Sequence, residues 1–171
     1  MTLEKQLKKL SDGDQSAFEY IYEQTYKTVY YIALSVLRER SLAEDVMQSA
    51  YLNVIKHASS FKRGTNVTAW IARIARNEAL NLKKKRGREV YVDERMNLHT
   101  FGSASTDDYG LLTDLARKIL QEDEFAVLML IAAQGYKRVE ISEILGMPVS
   151  TVTYKFNCAT EKMRKALEDK Q

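Results

Sequence analysis

The sequence predicts an all-α protein: two small helical domains joined by a flexible acidic linker. Three observations carry this. Apolar residues recur at steps of three and four along most of the 171 residues, the period of one helix face. Pro148 is the only proline, and the seven glycines fall mostly where a helix would stop. No convincing apolar-polar alternation occurs beyond the short Val90–Val92 stretch, which is too brief to stand as a strand. The predicted domains are residues 1–88 and 111–171, with the linker at 89–110.

The elements follow in order. Residues 14–37 place Phe18, Ile21, Tyr22, Val29, Ile32, Ala33 and Val36 on one helical stripe. Ser41 and Glu44 have the spacing of a capping box, in which each side chain answers an open N–H of the other's backbone. The helix they would start buries Leu42, Val46, Ala50, Val54 and Ala58, and leaves Asp45, Gln48, Ser49 and Asn53 largely elsewhere. Residues 61–68 contain Gly64 and Asn66 and read as a loop. From Ala69 to about Lys85 the helical period resumes around Trp70, Ile71, Ile74 and Leu82. The run Gly102 to Asp108 is small, polar and acidic, the composition of a connector. The unit beyond it, about sixty residues long, is near the lower size for folding alone.

Composition narrows the function classes. The chain is 45% hydrophobic and 29% charged, as an ordinary globular protein is. No apolar run approaches the ~20 residues of a membrane helix, so no membrane insertion is expected. The first ten residues lack an apolar core and a small-residue cleavage site, so no secretory signal is expected. The lone Cys158 excludes an intrachain disulfide and fits a reducing, cytoplasmic setting. His57 and His99 join no cluster with metal-ligand spacing. The adjacent acids Glu44-Asp45 and Asp107-Asp108 do not converge on one helix face. There is no glycine-rich phosphate loop and no nucleophile elbow. The sequence therefore predicts no enzyme, no catalytic residue, no metal and no cofactor.

Charge is segregated along the chain. The formal net charge is +3, yet residues 61–88 carry nine basic residues against one acid, and residues 89–127 carry three against nine. Segregation of this kind suits polyanion binding, although a solvated basic helix has the same signature. Lys83, Lys84, Lys85, Arg86 and Arg88 would add salt-sensitive affinity that is blind to base sequence. Phe61, Asn66 and Trp70 supply aromatic and amide groups of the kind that hold an unstacked base. For Trp70 a place in the core competes with that role.

The second unit contains a sharper pattern. Arg138 to Leu145 is a short amphipathic stretch, Gly146-Met147-Pro148 a tight turn, and Val149 to Leu167 a longer helix. Its expected buried positions are Val152, Phe156, Ala159, Met163 and Leu167, with Pro148 in the first helical turn. This is the spacing of a helix-turn-helix, whose second helix enters the major groove. Ser150, Thr151, Thr153, Tyr154 and Asn157 would then face bases, while Lys137, Arg138 and Lys155 would meet phosphates. A helical hairpin packed into a core has the same spacing.

Three stretches together resemble the bacterial RNA polymerase sigma factors of the extracytoplasmic-function (ECF) type. Ala43 to Val54 resembles the region 2.2 helix of that family. Trp70 to Asn77, followed by Lys83 to Arg88, resembles its promoter-opening segment. Gly135-Tyr136, Glu140 to Gly146 and Ser150-Thr151-Val152 resemble region four. The resemblance runs from about Asp12 to Leu167 and makes the two units a region two bundle and a region four helix-turn-helix. It implies a transcription initiation factor with core RNA polymerase (β and β′ subunits) and promoter DNA as partners, and in many members an anti-sigma factor. Asp45, Gln48, Ser49, Leu52 and Asn53 would bind polymerase. Phe61, Lys62, Arg63, Asn66, Trp70, Arg73, Arg76, Asn77, Lys83, Lys84 and Lys85 would hold the minus-10 element. The region four residues named above would read the minus-35 element.

The chain departs from the family pattern in places. Thr153, Cys158 and Thr160 stand where a basic residue is common, Phe125 and Ile131 where polar residues are usual, and Gln121 where proline is frequent. Arg63-Gly64 sits where glycine and an acid often follow one another. Fewer cations on a DNA-facing helix mean fewer phosphate contacts and a shallower salt dependence. Two other classes stay open at this level: a stand-alone helix-turn-helix regulator of duplex operators, and a polymerase-binding protein that reads no promoter.

Overall fold

The computed structural model describes residues 1–89 and 110–169. Among them are eight α-helices: α1 (Leu3–Ser11), α2 (Ala17–Leu37), α3 (Arg40–His57), α4 (Val67–Glu89), α5 (Gly110–Ile119), α6 (Glu122–Ala132), α7 (Arg138–Leu145) and α8 (Val149–Glu168). A single 3-10 turn, Ala58–Ser60, follows α3. The all-α expectation holds over the described residues. The acidic connector and the Val90–Val92 stretch lie outside them, as does His99.

Helix α2 organises the packing. It lies against α1, α3 and α4, and also against α6 from beyond the connector. Its buried residues are not confined to one stripe: Ile32, Ala33, Leu34, Ser35 and Val36 are consecutive and nearly inaccessible. This end of α2 is covered all round and has no polar face to present, whereas Glu19, Glu23, Gln24 and Lys27 face solvent nearer its start. Two of its buried hydroxyls are satisfied locally, Thr25 donating to the Ile21 carbonyl at 2.7 Å and Ser35 to the Ile32 carbonyl at 2.7 Å, while Thr28 meets the Tyr136 hydroxyl at 3.1 Å.

Three apolar clusters form the core. The first, around Leu7, Ile21, Val29, Val54 and Ile71, draws only on the first half of the chain. The second joins Leu34, Val36, Val46 and Ala79 to Ala116, Leu120, Phe125 and Met129. The third joins Ile32 and Ala72 to Val127, Leu130, Ile141, Ile144 and Val152. Two of the three clusters therefore span the connector.

A pair of arginines fastens the same junction. Arg38 ends α2 with φ +62°, the only non-glycine residue at positive φ among the described residues. A side chain there costs about 1–3 kcal/mol of strain and persists only where its surroundings fix it. Here they do. The Arg38 guanidinium donates to the Arg117 carbonyl at 3.0 Å and lies 5.7 Å from the centre of the Phe125 ring. Arg117 returns a hydrogen bond to the Arg38 carbonyl. Arg40 and Arg117 both reach Asp114 Oδ1, at 3.0 and 3.1 Å.

Several sequence expectations need correction. The Ser41–Glu44 capping box is absent: Glu39, extended at φ −127°, takes the N-cap position, and the Ser41 hydroxyl donates to its carboxylate at 3.0 Å. Helix α2 starts at Ala17 rather than residue 14, because the Asp14 carboxylate accepts from the Ser16 N–H at 3.0 Å and makes a turn there. Helix α4 starts two residues early, since Asn66 Oδ1 accepts from the Ala69 N–H at 3.0 Å. Pro148 is the N-cap of α8, one place before the first helical turn. Leu167 is 42% exposed, because α8 outruns the helices that cover it. Phe125 is wholly buried, as its reading as a core residue requires.

Two expectations follow. Phe125→Ala should cost about 3–5 kcal/mol, measured as a lower urea midpoint with a single transition, since the cluster holds both halves. The second concerns Glu124. Burial pushes its pKa up, but the Lys162 ammonium, 2.8 Å from both carboxylate oxygens, and the Gln121 N–H hold it below the ordinary value. A lowered pKa gives stability that is present above the unfolded value near 4.5 and is lost as pH falls through the folded value. Lys162→Met should therefore move acid unfolding to higher pH and cost about 1–3 kcal/mol at neutral pH, between the exposed and buried limits for ion pairs.

Candidate functional site

The outer face of α3 is built by burying its other side. Ala43, Val46, Ala50 and Val54 pack inward, which turns Asp45, Gln48, Ser49 and Leu52 to solvent. Leu52 is 69% exposed and Ile55 beside it 42%, so two apolar side chains sit among uncharged and acidic ones. Asn53 is different: its amide donates to Glu78 Oε1 on α4 at 2.8 Å.

That hydrogen bond crosses the mouth of an open cavity of about 340 Å³ between α3 and α4. Asn53, His57 and Ser60 line it from one side, and Trp70, Ile74, Asn77 and Glu78 from the other. The residues on α4 are spaced at four, three and one, a single helix face. Trp70 is half-buried and meets Phe61 edge to face, with ring centres 5.6 Å apart. It is thus partly a core residue, packed on the first cluster, and partly a cavity wall. An aromatic wall with amides around it is suited to a flat, polar-edged group such as a nucleobase.

The loop before α4 is tethered at both ends. Gly64, at φ +78°, gives its N–H to Glu4 Oε1 at 3.1 Å. Asn66 caps α4 with its oxygen and donates from its nitrogen to Glu143 Oε2 at 2.7 Å. Lys62 and Arg63 stand exposed just before the first of these tethers, and Arg73, Asn77, Lys84 and Lys85 are exposed along α4. Arg76 and Lys83 are not open in the same way. Arg76 Nη2 lies 2.9 Å from Glu122 and 3.8 Å from Asp123, and Lys83 Nζ lies 3.7 Å from Glu122.

The helix-turn-helix forms at its expected boundaries, α7 running Arg138–Leu145 and α8 beginning at Val149. Gly146 makes the turn at φ +65°, where a β-carbon would be strained. Ser150, Tyr154 and Asn157 are exposed along one line of α8, while Thr151, Thr153 and Lys155 are half-buried. Lys137 and Arg138 are exposed at the start of α7, the Arg138 guanidinium 5.5 Å from the Phe156 ring centre. Cys158 hydrogen-bonds Tyr154 and holds its phenol above the ordinary pKa.

Comparison with known proteins places this geometry. The sigma-70 region 2 family matches residues 21–89, from within α2 to the end of α4. The ECF RNA polymerase sigma factor SigW of Bacillus subtilis is 27% identical over 184 aligned positions, covering 99% of this chain and 98% of its own. The RNA polymerase sigma factor CarQ of Myxococcus xanthus is 27% identical over 168 positions, covering 94% and 95%. The chain thus carries a match to sigma-70 region 2 over residues 21–89 and is similar to ECF sigma factors along nearly its whole length. Its fold is shared with CnrH, solved with the cytosolic domain of CnrY, at TM-score 0.71 and 18% identity over 98% of both chains. It is also shared with RpoE of Bartonella quintana, solved with the anti-sigma factor NepR, at TM-score 0.62 and 24% identity over 82% of this chain and 89% of that one.

Sequence reasoning missed part of this cavity. His57, Ser60, Ile74 and Glu78 line it and were not singled out. A signal was available: residues 53 and 57 share one face of α3, residue 60 lies in the 3-10 turn that follows, and 70, 74, 77 and 78 share one face of α4. Trp70 is the only tryptophan, so its emission reports on the cavity alone. A single-stranded oligonucleotide should quench that emission, and Asn77→Ala should weaken its binding about five- to tenfold, at the low end of the ~1–3 kcal/mol range of base contacts. An unchanged emission at saturating DNA would exclude base capture there.

Proposed function

We propose that this chain acts as a sigma factor: it binds core RNA polymerase through the outer face of α3, holds the opened minus-10 strand on the loop and α4, and reads the minus-35 duplex with α8. Its functional halves are then residues 1–88 and 111–171, joined through 89–110. The observation that carries the reading is the cavity between α3 and α4 beside an exposed basic helix. A base leaving the stack costs a few kcal/mol, and an aromatic wall with Arg73 one turn away and Lys84 and Lys85 further along the same helix offsets that cost. Asp45, Gln48, Ser49 and Leu52 support the polymerase surface, because an exposed leucine among short polar side chains suits a protein contact. Asn53 acts by fixing Glu78 rather than by reaching outward. Ser150, Tyr154 and Asn157 support base reading, since they project from the same face of a helix that a major groove admits. The reading gives the chain no chemistry of its own.

Run-off transcription with core polymerase and a promoter library tests it. Specific starts that depend on the added chain are expected, and polymerase binding without starts would contradict promoter reading. Asp45→Ala with Gln48→Ala should weaken polymerase binding about tenfold without lowering the thermal midpoint. Replacing Lys83, Lys84 and Lys85 by Gln should reduce promoter opening more than polymerase binding. It should also flatten the salt dependence by about 2 in slope, at ~0.7 per single-strand phosphate. Equal losses in both assays would make the lysines a docking surface only.

A further inference from the structure

We infer that α1 is part of the DNA surface: the phosphates of the single strand that α4 holds continue past the loop onto Lys5, Lys8 and Lys9. The inference rests on the proposed role of the loop and α4, and it lengthens that surface by one element.

Helix α1 has a cationic outer side. Gln6, Leu7 and Leu10 are buried, and Lys5, Lys8 and Lys9, at steps of three and one, stand exposed on the other side. The helix is fixed in place. The Thr2 hydroxyl accepts from the Lys5 N–H at 3.4 Å, the Tyr20 hydroxyl donates to the Met1 carbonyl at 3.1 Å, and Leu3, Leu7 and Leu10 share a cluster with Phe61. Glu4 Oε1 takes the Gly64 N–H at 3.1 Å, which sets the loop against one flank of α1. Lys8 follows Glu4 by four residues, ~6 Å along that flank. Lys62 and Arg63 directly precede Gly64 and are exposed, so the cations of the loop adjoin those of α1. On α4 the exposed cations from Arg73 to Lys85 cover ~18 Å of helix. The loop and α1 extend that row beyond the N-terminal end of α4.

Helix stability does not account for the pattern. Lys8 and Lys9 in the last turn of α1 offset its dipole, but Lys5 sits nearer the positive end, where a cation is unfavourable. Glu4 and Lys8 have the spacing and order of a favourable intrahelical ion pair, yet Glu4 is turned to Gly64. Among the described residues no carboxylate forms an ion pair with Lys5, Lys8, Lys9, Lys62 or Arg63. Asp12 and Asp14 lie past the end of the helix. The chemistry of the face also selects its partner. Unlike α3 with Leu52 and Ile55, α1 exposes no large apolar side chain, so it lacks the apolar centre of a protein interface. Unpaired cations beside a strand-holding loop match a run of phosphates, whose counterions they release.

The test is amine footprinting of the full chain by acetylation and mass spectrometry, with and without a saturating single-stranded oligonucleotide of about 16 nucleotides, the upper end of common site sizes. Lys5, Lys8 and Lys9 should be protected to the same degree as Lys62, Lys84 and Lys85, while Lys118 and Lys165 stay reactive. Protection of Lys84 and Lys85 without the α1 lysines overturns the inference and leaves the reading of α4 standing. If DNA binds and none of Lys62, Lys84 and Lys85 is protected, that reading falls as well. Protection of the α1 lysines by core polymerase but not by DNA would make α1 a protein contact and overturn the inference. Anisotropy of the same strand, labelled, gives a second measure. K5Q/K8Q/K9Q should bind about tenfold more weakly, with a salt slope shallower by about 2, three phosphates at ~0.7 each. K27Q/K118Q/K165Q removes the same charge from exposed positions of α2, α5 and α8. Equal losses in the two triple variants would reduce the effect to net charge and sink the inference.

Discussion

The all-round burial of the C-terminal turns of α2 is the constraint on which the rest depends. Its first half is closed by α1, α3 and α4, and its second half is closed partly by α6. The consecutive buried residues Ile32 to Val36 need cover on more sides than α3 and α4 alone provide. Val127, Leu130 and Phe125 supply it from the second half of the chain. The strained Arg38 corner is tolerated because the same neighbours, Arg117 and Phe125, hold it. Once α2 is fixed, the relative tilt of α3 and α4 is fixed too, and with it the cavity between them.

Charge segregation acquires a second meaning in the folded chain. The basic block at 61–88 and the acidic block at 89–127 look, in one dimension, like a polyanion-binding stretch beside a spacer. In three dimensions Glu122 and Asp123 from the acidic block lie on Arg76 and Lys83 from the basic one. Part of the segregation is therefore internal complementarity between two packed surfaces. Of the rest, Arg86 pairs with Glu39, while Lys62, Arg63, Arg73, Lys84 and Lys85 stay exposed, so the face remains attractive to an external anion.

Much of the fold was legible because helical periodicity is a local property. The boundaries of α7 and the start of α8 were readable from Val139 to Leu145 and from the Gly146-Met147-Pro148 turn, where local sterics decide the backbone. Where a tertiary partner competes, local signals failed. Ser41 and Glu44 have capping-box spacing, but Glu39 is held extended at the Arg38–Arg40 corner and captures the Ser41 hydroxyl. The candidate site was legible residue by residue and illegible as an arrangement. Trp70 and Asn77 were recognisable as base-holding types, whereas Glu78 became a cavity residue only through its bond to Asn53 on another helix. The pairing of Arg76 with Glu122 joins positions 46 apart across the connector, a separation at which sequence carries no distance information.

The two DNA-facing surfaces proposed here differ in physical character, and the difference fits their tasks. The α3–α4 side offers many cations, an aromatic wall and an open cavity, as capture of a flexible, highly charged single strand requires. The exposed line of α8 offers a hydroxyl, a phenol and an amide at Ser150, Tyr154 and Asn157, and its Lys155 is half-buried. A helix with so few exposed cations forfeits most of the counterion-release contribution to DNA affinity. It keeps groups whose hydrogen bonds discriminate between base edges. Such a reader binds poorly alone and gains from being tethered, because attachment to a second bound surface raises its effective concentration without adding a contact. On the proposed reading that tether is polymerase held by α3, so selectivity at α8 and affinity elsewhere are separated within one chain.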